Sequence, residues 1–231
     1  MKDKPKRSTG RPIVFVVVLI LIAAVIFALL PFDTTREFDE SEYSYDLNTF
    51  IEMDNIPIFS QETNYTCFAV SQVIARNYLV SPIAESEFIE EFGLRDRTSG
   101  MLPNEWKTLA NQAFNPYGYS VAQLNPKSEA EILNIITESL LNNLPVVFYY
   151  SAVDDWNKPG FNTHYSVIFG IDMSSGTIKI SNPYGYLEDL LFAEFFDGLV
   201  FRSYESEPLT HLMGRKTGYI KSNNIFVFTR V

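Results

Sequence analysis

Residues 164–186 read HYSVIFGIDMSSGTIKISNPYGY. The apolar run HYSVIFGID, the polar turn MSSG and the returning TIKIS predict a β-hairpin, because short polar, Gly-bounded reversals join paired strands. His164 stands at the start of the first strand, and Asn182 lies just past the second, in SNPYGY. Further upstream, residues 56–80 read IPIFSQETNYTCFAVSQVIARNYLV. Thr66 is the candidate cap of a helix from about Cys67 to Tyr78, with Phe68, Val70, Val73, Ile74 and Leu79 as its apolar stripe. Cys67 is the only cysteine of the chain, and Gln61 precedes it by six positions.

These four residues carry a complete set of chemical roles. A thiolate attacks a carbonyl, an imidazole moves the proton, one amide fixes the imidazole tautomer, and another amide donates to the developing oxyanion. A cysteine at a helix start gains acidity from the partial positive charge there, and an adjacent imidazolium adds to it. Taken singly, each residue has an ordinary reading. Lone cysteines are mostly buried hydrophobes, strand histidines are mostly hydrogen-bonded core residues, and Asn-Pro is a common turn opener. The joint order suits one site: Gln, then Cys at a helix start, then His and Asn on paired strands. The second histidine, His211, reads as a surface residue.

The segments 56–80 and 164–186 resemble the C39-like branch of the papain-like cysteine peptidases, a bacterial family. The resemblance spans about Ile56 to Phe196. It implies Cys67 as nucleophile, His164 as general base, Asn182 as orienting residue and Gln61 as oxyanion donor. It also implies a papain-like α+β fold, a helical lobe led by the cysteine helix and packed on an antiparallel sheet. Two positions depart from the family pattern. Thr66 stands where a small residue is usual, and Asn182 stands where aspartate is usual.

The remaining elements fit that class. Ile56–Phe59 reads as a short edge strand, and Ser86–Phe92 and Pro103–Ala113 as helices. Residues 128–143, SEAEILNIITESLLNN, carry the capping-box pattern of Ser128 and Glu131. VVFYY at 146–150 reads as a buried strand, 151–163 as a loop, LEDLLFAEFF at 187–196 as a helix, and KSNNIFVFTRV at 221–231 as a final strand. Helices first and an antiparallel sheet later indicate α+β.

The N-terminus sets the expected compartment. Ile13 to Leu30 holds no charged or polar side chain, and eighteen helical residues span about 27 Å, close to a bilayer core. Lys2, Lys4, Lys6, Arg7 and Arg11 precede it, and Asp33, Glu37, Asp39, Glu40 and Glu42 follow. The positive-inside rule then places the N-terminus in the cytoplasm and the rest outside, on a single-pass anchor in the cell membrane. The expected organisation is a basic tail at 1–11, a transmembrane anchor at 12–32, an acidic linker at 33–55 and the peptidase domain at 56–231. An outward-facing domain would not share the double-glycine leader substrates of the family's exporter-linked members.

The net charge of −10 excludes a nucleic-acid footprint, and no nucleotide-binding or metal-ligand motif is present, so no cofactor is expected. The expected partners are a peptide or protein substrate and the membrane. Two alternatives stay open: a peptidoglycan amidase or endopeptidase, and a catalytically silent peptide-binding module on the same fold.

Overall fold

The computed structural model describes residues 10–29, 35–151, 163–201 and 209–231. Along the chain lie α1 (Gly10–Leu29), β1 (Phe50–Glu52), α2 (Cys67–Leu79), α3 (Glu85–Glu91), α4 (Pro103–Phe114) and β2 (Tyr119–Leu124). There follow α5 (Glu129–Leu141), β3 (Val146–Ser151), β4 (Thr163–Asp172), β5 (Thr177–Asn182), β6 (Tyr186–Leu191), α6 (Phe192–Leu199), α7 (Leu209–Lys216) and β7 (Asn224–Arg230). The fold is α+β, with every strand pairing antiparallel. The sheet runs β2-β7-β3-β4-β5-β6, and β1 pairs with β4 beyond the end of β3.

Helices cover both faces of the sheet, where one helical lobe was expected. All six residues of β3 are buried, so an apolar strand of period two needs a partner layer on each side. Val147 and Tyr149 join the core beneath α2 and α4, with Phe68, Trp106 and Phe226. Val146, Phe148 and Tyr150 join the core beneath α5 and α6, with Ile136, Ile180 and Phe195.

Several local expectations are corrected. Ile56–Phe59 forms no strand; the strand of that region is β1, and Ser60 makes only an isolated bridge to Tyr184. LEDLLFAEFF is divided between β6 and α6. Its first half alternates half-buried and exposed, a period-two pattern, and pairs along β5. The final strand β7 lies inside the sheet between β2 and β3. The expected loop at 151–163 lies outside the described residues from 152 to 162.

Ser128 caps α5 by accepting from the Glu131 amide at 3.2 Å, while the Glu131 carboxylate reaches back to the Lys127 amide at 2.8 Å. Residues 35–52, expected as linker, are bonded to the domain. The Arg36 amide donates to Lys127 O and its carbonyl accepts from the Glu129 amide, at 2.9 and 3.0 Å. Asn134 of α5 bonds Ser44 and Glu42, Tyr43 meets Thr137 inside the core, and β1 joins the sheet.

Helix α1 is the element expected to cross a membrane. Its described side chains, from Phe15 to Leu29, are exposed. The side chains at 10–14, 23 and 26–28 lie outside the described residues. Among the described residues no helix is long and apolar enough to cross a membrane. The expected anchor is therefore not supported at this level.

Candidate active site

Cys67 is the first residue of α2. The expected Thr66 cap is absent: its hydroxyl bonds back to Thr63 O at 3.2 Å and makes no capping contact. The backbone at the start of α2 opposes the burial of the thiol by favouring its charged form. Cys67 packs in the same core as Tyr165 of β4, the residue after His164. The start of α2 is held from behind by Trp106 of α4, whose indole donates to Phe68 O at 3.1 Å.

His164 is buried opposite Tyr150 of β3. Its Nε2 meets Asn182 Oδ1 at 3.0 Å. The same Oδ1 accepts from the Tyr184 amide at 3.1 Å, and Asn182 Nδ2 donates to Glu188 Oε1 at 2.8 Å. Those partners fix the amide's orientation, because reversing it would turn an oxygen towards a carboxylate. The bond to Oδ1 then assigns the proton to Nε2 and the lone pair to Nδ1. The Tyr184 ring stacks on the imidazole with centroids 4.3 Å apart.

Gln61 is 7% exposed, and its amide N–H donates to Pro183 O at 2.7 Å, so it lies against the asparagine turn. Its side-chain Nε2 donates to Thr63 O at 2.7 Å, which uses one of two N–H bonds. Its Oε1 is buried with no partner among the described residues. Gly185 makes this approach possible. It has φ +95°, and an added Cβ would stand 3.0 Å from Ser60 Cβ.

The structure thus joins His164 to Asn182 directly and Gln61 to the turn after Asn182, and it packs Cys67 in one core with Tyr165, the residue after His164. The electrostatics differ from expectation. Burial pushes the Cys67 thiol up to about 11, outweighing the backbone bonds that oppose it. Burial pushes His164 down to about 4 against the Asn182 bond. Near neutral pH both groups are uncharged, because desolvation of a thiol only 4% exposed exceeds the gain from the helix start.

Three contributors were not singled out from sequence. Glu188 lies on β6, Tyr184 lies in the connecting turn, and Glu85 opens α3. Glu85 is buried and accepts from the Glu62 amide at 3.0 Å, pinning the loop between Gln61 and Cys67. An apolar-period reading passes over all three, because their partners lie on other elements. His211, expected at the surface, is half-buried and packs edge-on against Phe201 at 4.9 Å. No group of His, Cys, Asp and Glu suited to a metal ion occurs among the described residues.

Three solved structures are similar at low identity. A protein from Bacillus anthracis described as a C39-like peptidase matches at 14% identity and TM-score 0.48, covering 79% of this chain and 98% of its own. A double-glycine-motif protease from an AMS/PCAT transporter, in complex with a leader peptide, matches at 11% identity and TM-score 0.44, covering 79% and 99%. The peptidase domain of Streptococcus ComA, a bifunctional ABC transporter of a quorum-sensing pathway, matches at 11% and 0.42, covering 62% and 92%. No curated protein sequence matches the chain. The model of the Peptidase_C39 like family matches residues 53–202, well over half of the sequence, and the chain belongs to that family.

Proposed function

We propose that the protein is a thiol-dependent peptide-bond hydrolase acting through Cys67, His164 and Asn182, with Gln61 as oxyanion donor. The family supports a peptidase-type function. The observation that carries the residue roles is the His164 Nε2 to Asn182 Oδ1 bond, at 3.0 Å, next to Tyr165, which shares a core with Cys67. It turns Nδ1 into the basic nitrogen. His164 takes the thiol proton as Sγ attacks the peptide carbonyl, and the carbonyl oxygen becomes an oxyanion. The remaining Gln61 N–H and the first-turn amides of α2 are donors suited to that oxyanion. The imidazolium then protonates the leaving amine. Water, deprotonated by the same imidazole, hydrolyses the thioester and restores the thiol. Neutral resting partners fit this proton transfer during attack, in place of a preformed ion pair.

The same neutral, buried thiol favours a second reading, a silent peptide-binding module. Incubating the protein with a peptide library and reading new termini by mass spectrometry separates the two. Hydrolysis lost in Cys67→Ala supports the enzyme, and binding without cleavage by the native protein supports the module. Peptidoglycan stem peptides belong in the same library as candidate substrates.

The reading includes a membrane anchor at α1, with the domain on the extracytoplasmic side. Its support is the charge-free run Ile13–Leu30, the basic flank before it and the acidic flank after it. Protease added to intact cells should digest the domain. Protection until lysis would overturn the orientation.

A further inference from the structure

We propose that Asn182 and Glu188 work as one unit, in which the Glu188 carboxylate supplies His164, through the Asn182 amide, with the negative charge that an aspartate at position 182 would supply directly. The inference rests on the cysteine-hydrolase reading and deepens it. Glu188 is a positioning residue, since it acts through Asn182.

The geometry is specific. Asn182 ends β5 and Glu188 lies on β6, where Asn182 faces Tyr186, so Glu188 is the diagonal neighbour two residues on. Strand alternation puts Asn182, Tyr186 and Glu188 on one face. The amide donates to the carboxylate at 2.8 Å, a charge-assisted length, and accepts from the imidazole at 3.0 Å on its other end. Asn182 is 2% exposed, so the chain of bonds crosses a water-poor region where polarisation carries furthest. An amide pulled towards carboxylate at its nitrogen holds more negative charge at its oxygen. That favours a protonated imidazole.

A neutral asparagine at this place would otherwise give His164 orientation without charge. The titratable groups facing the pair include Tyr150 of β3, His164 of β4, and Tyr184 and Tyr186 of the turn and β6. Tyr150 itself is held further towards its neutral form by the Glu188 charge. Among these groups Glu188 is the carboxylate, and it reaches the imidazole through Asn182.

The test uses the full chain and needs no substrate. Cys67 is the sole thiol, so iodoacetamide labelling followed by intact-mass spectrometry reads it alone. Labelling assisted by His164 as base falls away where His164 becomes protonated, and His164→Ala identifies that acid limb. Glu188→Gln keeps an oxygen to accept from Asn182 but removes the charge. It should slow labelling at pH 7 several-fold and move the acid limb to lower pH, because a less stabilised imidazolium has a lower pKa. Asn182→Asp combined with Glu188→Gln puts one charge back beside His164 and should restore both. A merely structural role would slow labelling without moving the limb.

Identical limbs in the native protein and Glu188→Gln overturn the relay alone, as does a double variant that melts normally but stays slow. A native Cys67 with no acid limb, labelling like an exposed free thiol, overturns the hydrolase reading and the relay with it. Glu188→Ala, which removes the acceptor as well, should lower the rate further than Glu188→Gln. Equal rates for the two would also sink the relay.

Discussion

The Trp106 indole donates to Phe68 O at 3.1 Å and to Ser71 Oγ at 3.2 Å, so α4 clamps the first turn of the helix that begins at Cys67. The ring is fully buried and packs on Phe226 and Tyr165, at 4.4 and 5.7 Å between centroids. Trp106→Ala should cost about 3–5 kcal/mol in urea unfolding, from lost burial and the cavity left behind. Trp106→Phe keeps most of the volume but leaves Phe68 O without this donor. It should cost less in stability and still slow Cys67 labelling, and unchanged labelling would separate the clamp from the site.

Buried His164 makes stability depend on pH. Its folded pKa lies at about 4 against 6.5 unfolded. Between those values the unfolded chain binds the extra proton, so stability is full above about pH 6.5 and falls as the pH drops towards 4. The loss reaches roughly 3 kcal/mol at about 1.4 kcal/mol per unit. Urea midpoints across this range should show the slope, and His164→Gln should flatten it. An equal slope in the variant would assign it elsewhere.

Cys67 has the opposite sign. Its thiol is raised from 9.0 to about 11, so the contribution is present below pH 9 and fades as pH rises towards 11. Cys67→Ala should remove this alkaline loss, as read by thermal melting between pH 8 and 11.

Glu85→Ala removes the carboxylate that accepts from the Glu62 amide in a half-buried bond. The expected cost is about 1–3 kcal/mol, with Glu85→Gln milder. Glu85 also raises the Cys67 thiol, as the smallest of its influences. Glu85→Gln should therefore make Cys67 slightly more acidic, read as a small downward shift of the alkaline rise in labelling. An upward shift would contradict the placement.

Gly185→Ala tests the contact between the Ser60–Gln61 segment and the asparagine turn. A Cβ at φ +95° is strained and meets Ser60 at 3.0 Å, so the turn must move. A cost of about 1–3 kcal/mol and a large fall in activity are expected, with Ser60→Gly giving partial rescue.

The sequence showed the hairpin of 164–182 and the cysteine helix because each carries a strong local period and clear punctuation. It singled out four candidate site residues because their types and order match one chemistry. Glu188 is not legible there because Leu187, Leu190 and Leu191 suit a helical or a strand period, and only pairing with β5 decides between them. The central position of β7 escaped for a related reason, since strand order is set by contacts far apart in the chain. The depressed thiol pKa expected for Cys67 failed on burial. A helix start is visible in sequence, but the depth at which the sulfur sits is not.

The docked segment from Thr35 has a consequence for reach. The Thr35 hydroxyl accepts from Asn223, and Arg36 is already held against α5. Residues 30–34 are all that separate this attachment from Leu29, the last residue of α1. Fully extended, that tether spans about 20 Å at most, so the domain cannot stray from wherever α1 resides. If α1 lies in a bilayer, the domain is a surveyor of a thin shell above the surface. Its encounters are then governed by how substrates crowd that shell, and much less by their concentration in bulk.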